Sequence, residues 1–209
     1  MVKVIGLTGS IAVGKSTVTQ YLLTHGYQVL DADIISHQAL KQGTSAYQKV
    51  VSLFGCVKED GTIDRKQLGN IVFSSPEKKK QLEDIIHPYV IDETLKGIKE
   101  SKSNYVILDV PLLFEAKMDK LCDLTIFVNT KEDVRLARLE KRATMPLKDA
   151  KKLNSQVMSA KEKIYLADIT IENSSDLEFS IGVDSSKSFN QSKSSFSFSA
   201  SLCELLSKL

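Results

Sequence analysis

Gly9-Ser10-Ile11-Ala12-Val13-Gly14-Lys15-Ser16 fits the phosphate-loop pattern: a glycine, four variable residues, a second glycine, a lysine and a hydroxyl residue. In such a loop the glycines permit a tight turn that aims successive backbone N–H groups at phosphate oxygens. Lys15 can then reach the outer phosphates of a nucleotide, and the Ser16 hydroxyl can ligate Mg²⁺. A pattern this short arises by chance, so its surroundings decide. Upstream, Val2-Lys3-Val4-Ile5 runs through Gly6-Leu7-Thr8 as a short apolar strand. Downstream, Val18, Tyr21 and Leu22 recur at helical spacing between Thr17 and His25, and Gly26 supplies a stop. Strand, loop and helix follow in the required order, with phosphates expected at the helix N-terminus.

Further apolar runs at Tyr27–Leu30, Tyr105–Val110, Leu124–Asn129 and Ile169–Ile171 alternate with helical stretches. That alternation predicts an α/β fold, a P-loop-type parallel sheet flanked by helices. The gap between the second and third strands is too long for one crossover. Residues 34–103 read as an inserted all-helical substrate domain, with Asp60-Gly61 as a turn, Ser75-Pro76 as a helix start and Glu77–Ile86 as a helix. Such an insertion leaves the carboxyl end of a strand, where a second substrate is expected. Arg135–Lys163 carries nine Lys or Arg against three acids, which suits a basic helical lid over a polyphosphate as well as a solvated helix pair. The expected layout is a core of 1–33, 104–131 and 164–173, an insertion of 34–103 and a lid of 132–163. Residues 174–209, with twelve serines between Ser174 and Ser201, read as a flexible tail ending in a short helix at Leu202–Leu206.

With 209 residues and a formal net charge of +2, composition makes no case for nucleic-acid binding. No apolar run approaches the roughly 20 residues of a membrane span, and the N-terminus does not resemble a signal peptide. Cys56, Cys122 and Cys203 lack metal-ligand spacing and read as reduced, mostly buried thiols of a cytoplasmic protein.

Tyr27–Leu30 leads into Asp31-Ala32-Asp33, which brings carboxylates to a strand's carboxyl end. One aspartate could cap the helix beginning near Ile34, and the other, Asp33, is the candidate base for an acceptor hydroxyl. Tyr105–Asp109 has the form of a Walker B strand, so Asp109 serves either the Mg²⁺ environment or the anchoring of the loop. Thr130-Lys131-Glu132-Asp133 matches the guanine-reading [NT]-K-x-D pattern, but Asp109-Val110-Pro111-Leu112 lacks the glycine of the partner motif. The preferred reading is that Thr130 caps the next helix with Asp133 as capping acid.

Together these segments resemble the dephospho-CoA kinase family. The carrying residues are Gly6–Thr17, Asp31-Ala32-Asp33, Phe54-Gly55, Asp60-Gly61 through Gly69, Val72-Phe73, and Leu82-Glu83 through His87-Pro88. Pro111-Leu112-Leu113-Phe114-Glu115, Arg138-Leu139 with Arg142, Gln156, and Ala167-Asp168 leading to Asn173 complete the set. The resemblance implies transfer of the ATP γ-phosphoryl group to the ribose 3′-hydroxyl of dephospho-CoA. It implies catalytic roles for Asp33, Lys15 and Arg142, and ATP contacts at Ala12, Val13, Gly14, Lys15, Ser16, Thr17, Arg142 and Asn173. Acceptor contacts fall on Thr8, Asp33, Arg65 and His87, and Mg²⁺ on Ser16, with Asp33 or Asp109 through water. Ser10, Val13, Lys152 and Ser175 depart from the family pattern; a lysine at 152 keeps charge but loses the bidentate fork of arginine.

Overall fold

Every residue of β1 (Lys3–Gly9) after Lys3 is buried, as a strand covered on both faces requires. The computed structural model describes residues 2–141, 157–174 and 180–183. Helix α1 (Lys15–Thr24) follows the loop and covers one face of the sheet. Its Val18 and Leu22 join Ile5 and Leu7 of β1, Ile107 of β3 (Tyr105–Asp109), Ile126 and Val128 of β4 (Leu124–Asn129), and Ile171 of β5 (Ile169–Glu172). β1 pairs in parallel with β3 and β4, setting Leu7 opposite Asp109 and Gly9 opposite Val128. With β2 (Gln28–Asp31) and β6 (Ser180–Val183) the sheet order is β2-β3-β1-β4-β5-β6. The chain therefore leaves β1 for one side and crosses to the other after β3. This makes the carboxyl end of β1 the switch point where α/β sheets take ligands.

The parallel sheet with flanking helices is the architecture expected. One strand was not: β6 (Ser180–Val183) pairs antiparallel with β5, inside the stretch read as a flexible tail. Ile181-Gly182-Val183 is too short an apolar run to stand out against the surrounding serines. The Leu202–Leu206 segment lies outside the described residues.

The chain divides into two compact units, Met1–Val29 with Ser103–Leu209, and Leu30–Lys102, so the boundary falls within β2. The second unit is helical: α2 (Ala32–Ala39), α3 (Ser45–Phe54), α4 (Arg65–Ser74) and α5 (Pro76–Lys99), with α5 packed against the other three. α5 runs on through His87-Pro88, where the sequence suggested an end at Ile86. An internal proline costs about 3 kcal/mol, yet Ile86, Val90 and Thr94 recur every four residues on the buried face across it. That continuous packing outweighs the lost hydrogen bond.

Two helices of the first unit remain. α6 (Glu132–Lys141) and α7 (Ala160–Leu166) bracket the basic arm, of which residues 142–156 lie outside the described residues. No helix among the described residues is long and apolar enough to cross a membrane.

Candidate functional site

Two residues of the loop take left-handed conformations, Ala12 at φ 65° and Gly14 at φ 89°. For Ala12 this costs about 1–2 kcal/mol. At Gly14 a Cβ would sit 2.1 Å from Asn173 Nδ2, so a side chain there would have to displace the Asn173 amide. The strained turn is held from behind. The Val13 carbonyl accepts from Asn173 Nδ2 at 2.9 Å and from Arg138 Nη1 at 3.3 Å. The Asn173 carbonyl in turn accepts from Arg138 Nη1 at 3.0 Å and from Thr130 Oγ1 at 2.6 Å.

Thr130 is thus a strut for Asn173 rather than a helix cap. The Arg135 N–H bonds the Lys131 carbonyl at 2.9 Å, which makes Lys131 the residue preceding α6. The guanine-reading arrangement finds no use here, because the Thr130 hydroxyl is buried and donates to backbone.

Helix α1 begins unlike its neighbours. α2, α3, α4, α5 and α7 start on side-chain caps from Asp31, Thr44, Asp64, Ser75 and Ser159. α1 starts on Gly14 with no side-chain cap and no acid in its first turn. Its N-terminus and dipole suit an anion, the ligand the loop motif predicts. Ala12 and Val13 are buried beneath the turn, whereas Ser16 and Thr17 are exposed at the helix start.

Lys15 is ion-paired with Asp109, which is 2% exposed. The second carboxylate oxygen accepts from Thr19 Oγ1 at 2.6 Å. Of the two readings open for Asp109, the geometry therefore favours anchoring of the loop lysine. Thr8 is fully buried, and its hydroxyl donates to the Pro111 carbonyl at 3.0 Å. Asp168, part of the Ala167-Asp168 pair, is structural: it accepts from the Thr125 N–H and Oγ1 at 2.8 and 2.7 Å, fixing the start of β5 on β4.

In the second unit the paired aspartates divide their work. Asp31 accepts from the N–H groups of Asp33 and Ile34 at 2.8 and 3.0 Å, capping α2. Asp33 sits exposed in the first turn. Arg65 opens α4 directly after its cap, Asp64, and its guanidinium lies 3.5 Å from the His37 carbonyl, one turn beyond Asp33. The preceding turn is tied down by Tyr47 on the Gly61 carbonyl and Gln42 Nε2 on the Asp60 carbonyl at 3.2 Å. His87 is exposed on α5, which packs on α2. Arg142, Lys152, Gln156 and Ser175 lie outside the described residues.

Cys122 is a free thiol pushed up to about 12 by burial, with Asp119, Asp123 and Asp168 adding to the shift. Cys56 is raised in the same direction by burial and by Asp64. Both are therefore neutral and unsuited to nucleophilic chemistry. Two residues whose bonds tie distant segments together were missed: Arg138, read only as a member of the basic arm, and Lys163, counted in the charge of the same arm. The i, i+4 spacing of Arg138 and Arg142 was the available signal for the first; nothing local marks the second.

The dephospho-CoA kinase family model matches residues 3–178. A dephospho-CoA kinase of Oceanobacillus iheyensis is 43% identical over 183 residues, 85% of this chain and 92% of its own length. That of Carboxydothermus hydrogenoformans is 44% identical over 180 residues, 84% of this chain and 87% of its own. Among solved structures, dephospho-CoA kinase from Campylobacter jejuni matches with a TM-score of 0.62 at 31% identity, covering 84% of this chain and 90% of that one. A Thermus thermophilus protein matches with a TM-score of 0.75 at 30% identity over the same shares.

Proposed function

The chain belongs to the dephospho-CoA kinase family, and from that premise we propose that it transfers the γ-phosphoryl group of ATP to the ribose 3′-hydroxyl of dephospho-CoA, giving coenzyme A and ADP. The observation that carries this reading is the start of α1: an uncapped helix N-terminus on a left-handed glycine, with Lys15 beside it. A ligand rich in negative charge suits that arrangement.

In this mechanism the amides from Ala12 to Thr17 bind the phosphates, and Lys15 supplies charge to the transferring group. Asn173 and Arg138 keep the loop in its strained form, so no reorganisation is needed as charge develops. Asp33 orients the acceptor hydroxyl and takes its proton. Asp31 already serves as the α2 cap, which supports Asp33 rather than Asp31 in this role. Thr8, Arg65 and His87 bind the acceptor, and Arg142 counters charge on the phosphoryl group.

Mg²⁺ would neutralise the polyphosphate when bound. The residues fit such an ion: the Ser16 hydroxyl is exposed at the helix start, and no cluster of three or more His, Cys, Asp or Glu occurs among the described residues. That suits Mg²⁺ held chiefly by phosphates and water, with Asp109 or Asp33 acting through water. The free thiols Cys56 and Cys122 support a cytoplasmic setting.

A coupled ADP-release assay over a panel of acceptors tests the proposal. Release with dephospho-CoA, and none with uridine or nucleoside monophosphates, is expected. Turnover of those acceptors with dephospho-CoA inert overturns it.

A further inference from the structure

Lys163 is the largest charged side chain fully buried in the described residues, 1% exposed, and nothing in the mechanism above uses it. Its Nζ lies 3.0 Å from Glu115 Oε1 and donates to the Pro111 carbonyl at 3.4 Å. The same Glu115 oxygen accepts from the Met158 N–H at 3.1 Å. The Pro111 carbonyl is shared with Thr8 Oγ1, and the Val110 N–H bonds the Leu7 carbonyl at 2.9 Å. Lys163 therefore closes a chain of bonds around the 110–115 turn. One end of that chain is Thr8, the residue before Gly9 of the phosphate loop. The other is Asp109, two residues before Pro111, which holds Lys15.

As a stabilising device the pair is poorly made. Glu115 Oε2 is buried with no hydrogen-bond partner, so part of the cost of desolvating the carboxylate goes unrecovered. Apolar side chains of similar volume would stabilise the fold as well or better. What they could not do is pin a backbone carbonyl and a carboxylate at fixed points next to the loop.

We propose that Lys163 is a positioning residue for phosphoryl transfer, acting through Glu115 and Pro111 to fix the Thr8 and Asp109 flanks of the phosphate loop. The inference rests on the kinase reading. It is tested on the full chain by Glu115→Gln and by the double variant Lys163→Met/Glu115→Leu, each assayed for thermal melting and steady-state kinetics. Glu115→Gln keeps shape but weakens the grip on Lys163. We expect kcat to fall about 10-fold, with KM for ATP and for the acceptor each moving less than about 3-fold, the signature of a contact felt in the transition state. The double variant removes both charges and should melt within a few degrees of wild type, yet keep the kcat deficit. Recovery of kcat along with melting temperature in the double variant, or unchanged kcat in Glu115→Gln, overturns the proposal. The wild type serves as the control for the kinase reading. If it uses another acceptor, the same ratios are taken with that acceptor, so the two ideas fail separately.

Discussion

Around the phosphate loop, polar groups are buried and bonded to one another: Thr8 to Pro111, Lys15 to Asp109, Asn173 to Val13, Lys163 to Glu115. In Leu30–Lys102 the arrangement is reversed. Asp33, Arg65 and His87 are all exposed, and what is fixed is the helix each stands on, by the caps Asp31, Asp64 and Ser75. The first design aims backbone amides, which cannot be adjusted one at a time, so a network must hold the whole turn. The second aims side chains from rigid helix starts, so a single cap suffices for each. Damage should accordingly spread in the first region and stay local in the second.

The largest effect expected is at Asp33. Asp33→Asn should lower kcat about 100-fold or more, the usual size of a general-base contribution, while ATP titration gives near-normal affinity. Normal turnover would remove Asp33 from its role and leave the acceptor region without a base. Next is Asn173→Ala, which strips one donor from the Val13 carbonyl and leaves Arg138 as its remaining partner. Loss of one buried hydrogen bond, about 1–2 kcal/mol, should raise KM for ATP by roughly 10-fold. If KM for the acceptor rose instead, the division of labour drawn here would be wrong. The smallest effect is at Asp64→Ala. Removing the α4 cap should cost about 1 kcal/mol, read as a fall of roughly 2–4 °C in melting temperature. KM for dephospho-CoA should rise through Arg65, and KM for ATP should stay put; a matching loss of ATP affinity would erase the contrast between the regions.

Much of this was legible in the residues. The loop motif needs only local spacing, and β1, β3 and β4 are strongly apolar because both faces of the sheet are covered there. Asp31 and Asp33 could be read as cap and candidate base because helix starts are local events. The errors came where distant packing decides. α5 survives Pro88 because its buried face continues on the far side, a matter of what lies against it. Thr130 looked like a cap until Asn173, 43 residues on, supplied a better partner. Lys163 sits among lysines that sequence alone cannot distinguish from it, and only Glu115 and Pro111, about 50 residues away, reveal its burial. β6 depends on the open edge of β5 rather than on its own composition.

The Lys15–Asp109 pair has a consequence for selectivity. An incoming phosphate does not meet a waiting ammonium; it competes with a carboxylate that already holds one. Recruiting Lys15 is thus an exchange of anionic partners, and the net gain is the difference between two charge-assisted contacts of similar kind. A ligand bearing a single phosphate has little to offer in that trade. On the proposed function, one bearing three would displace Asp109 most readily, and the pair would grade nucleotides by the length of their phosphate chain.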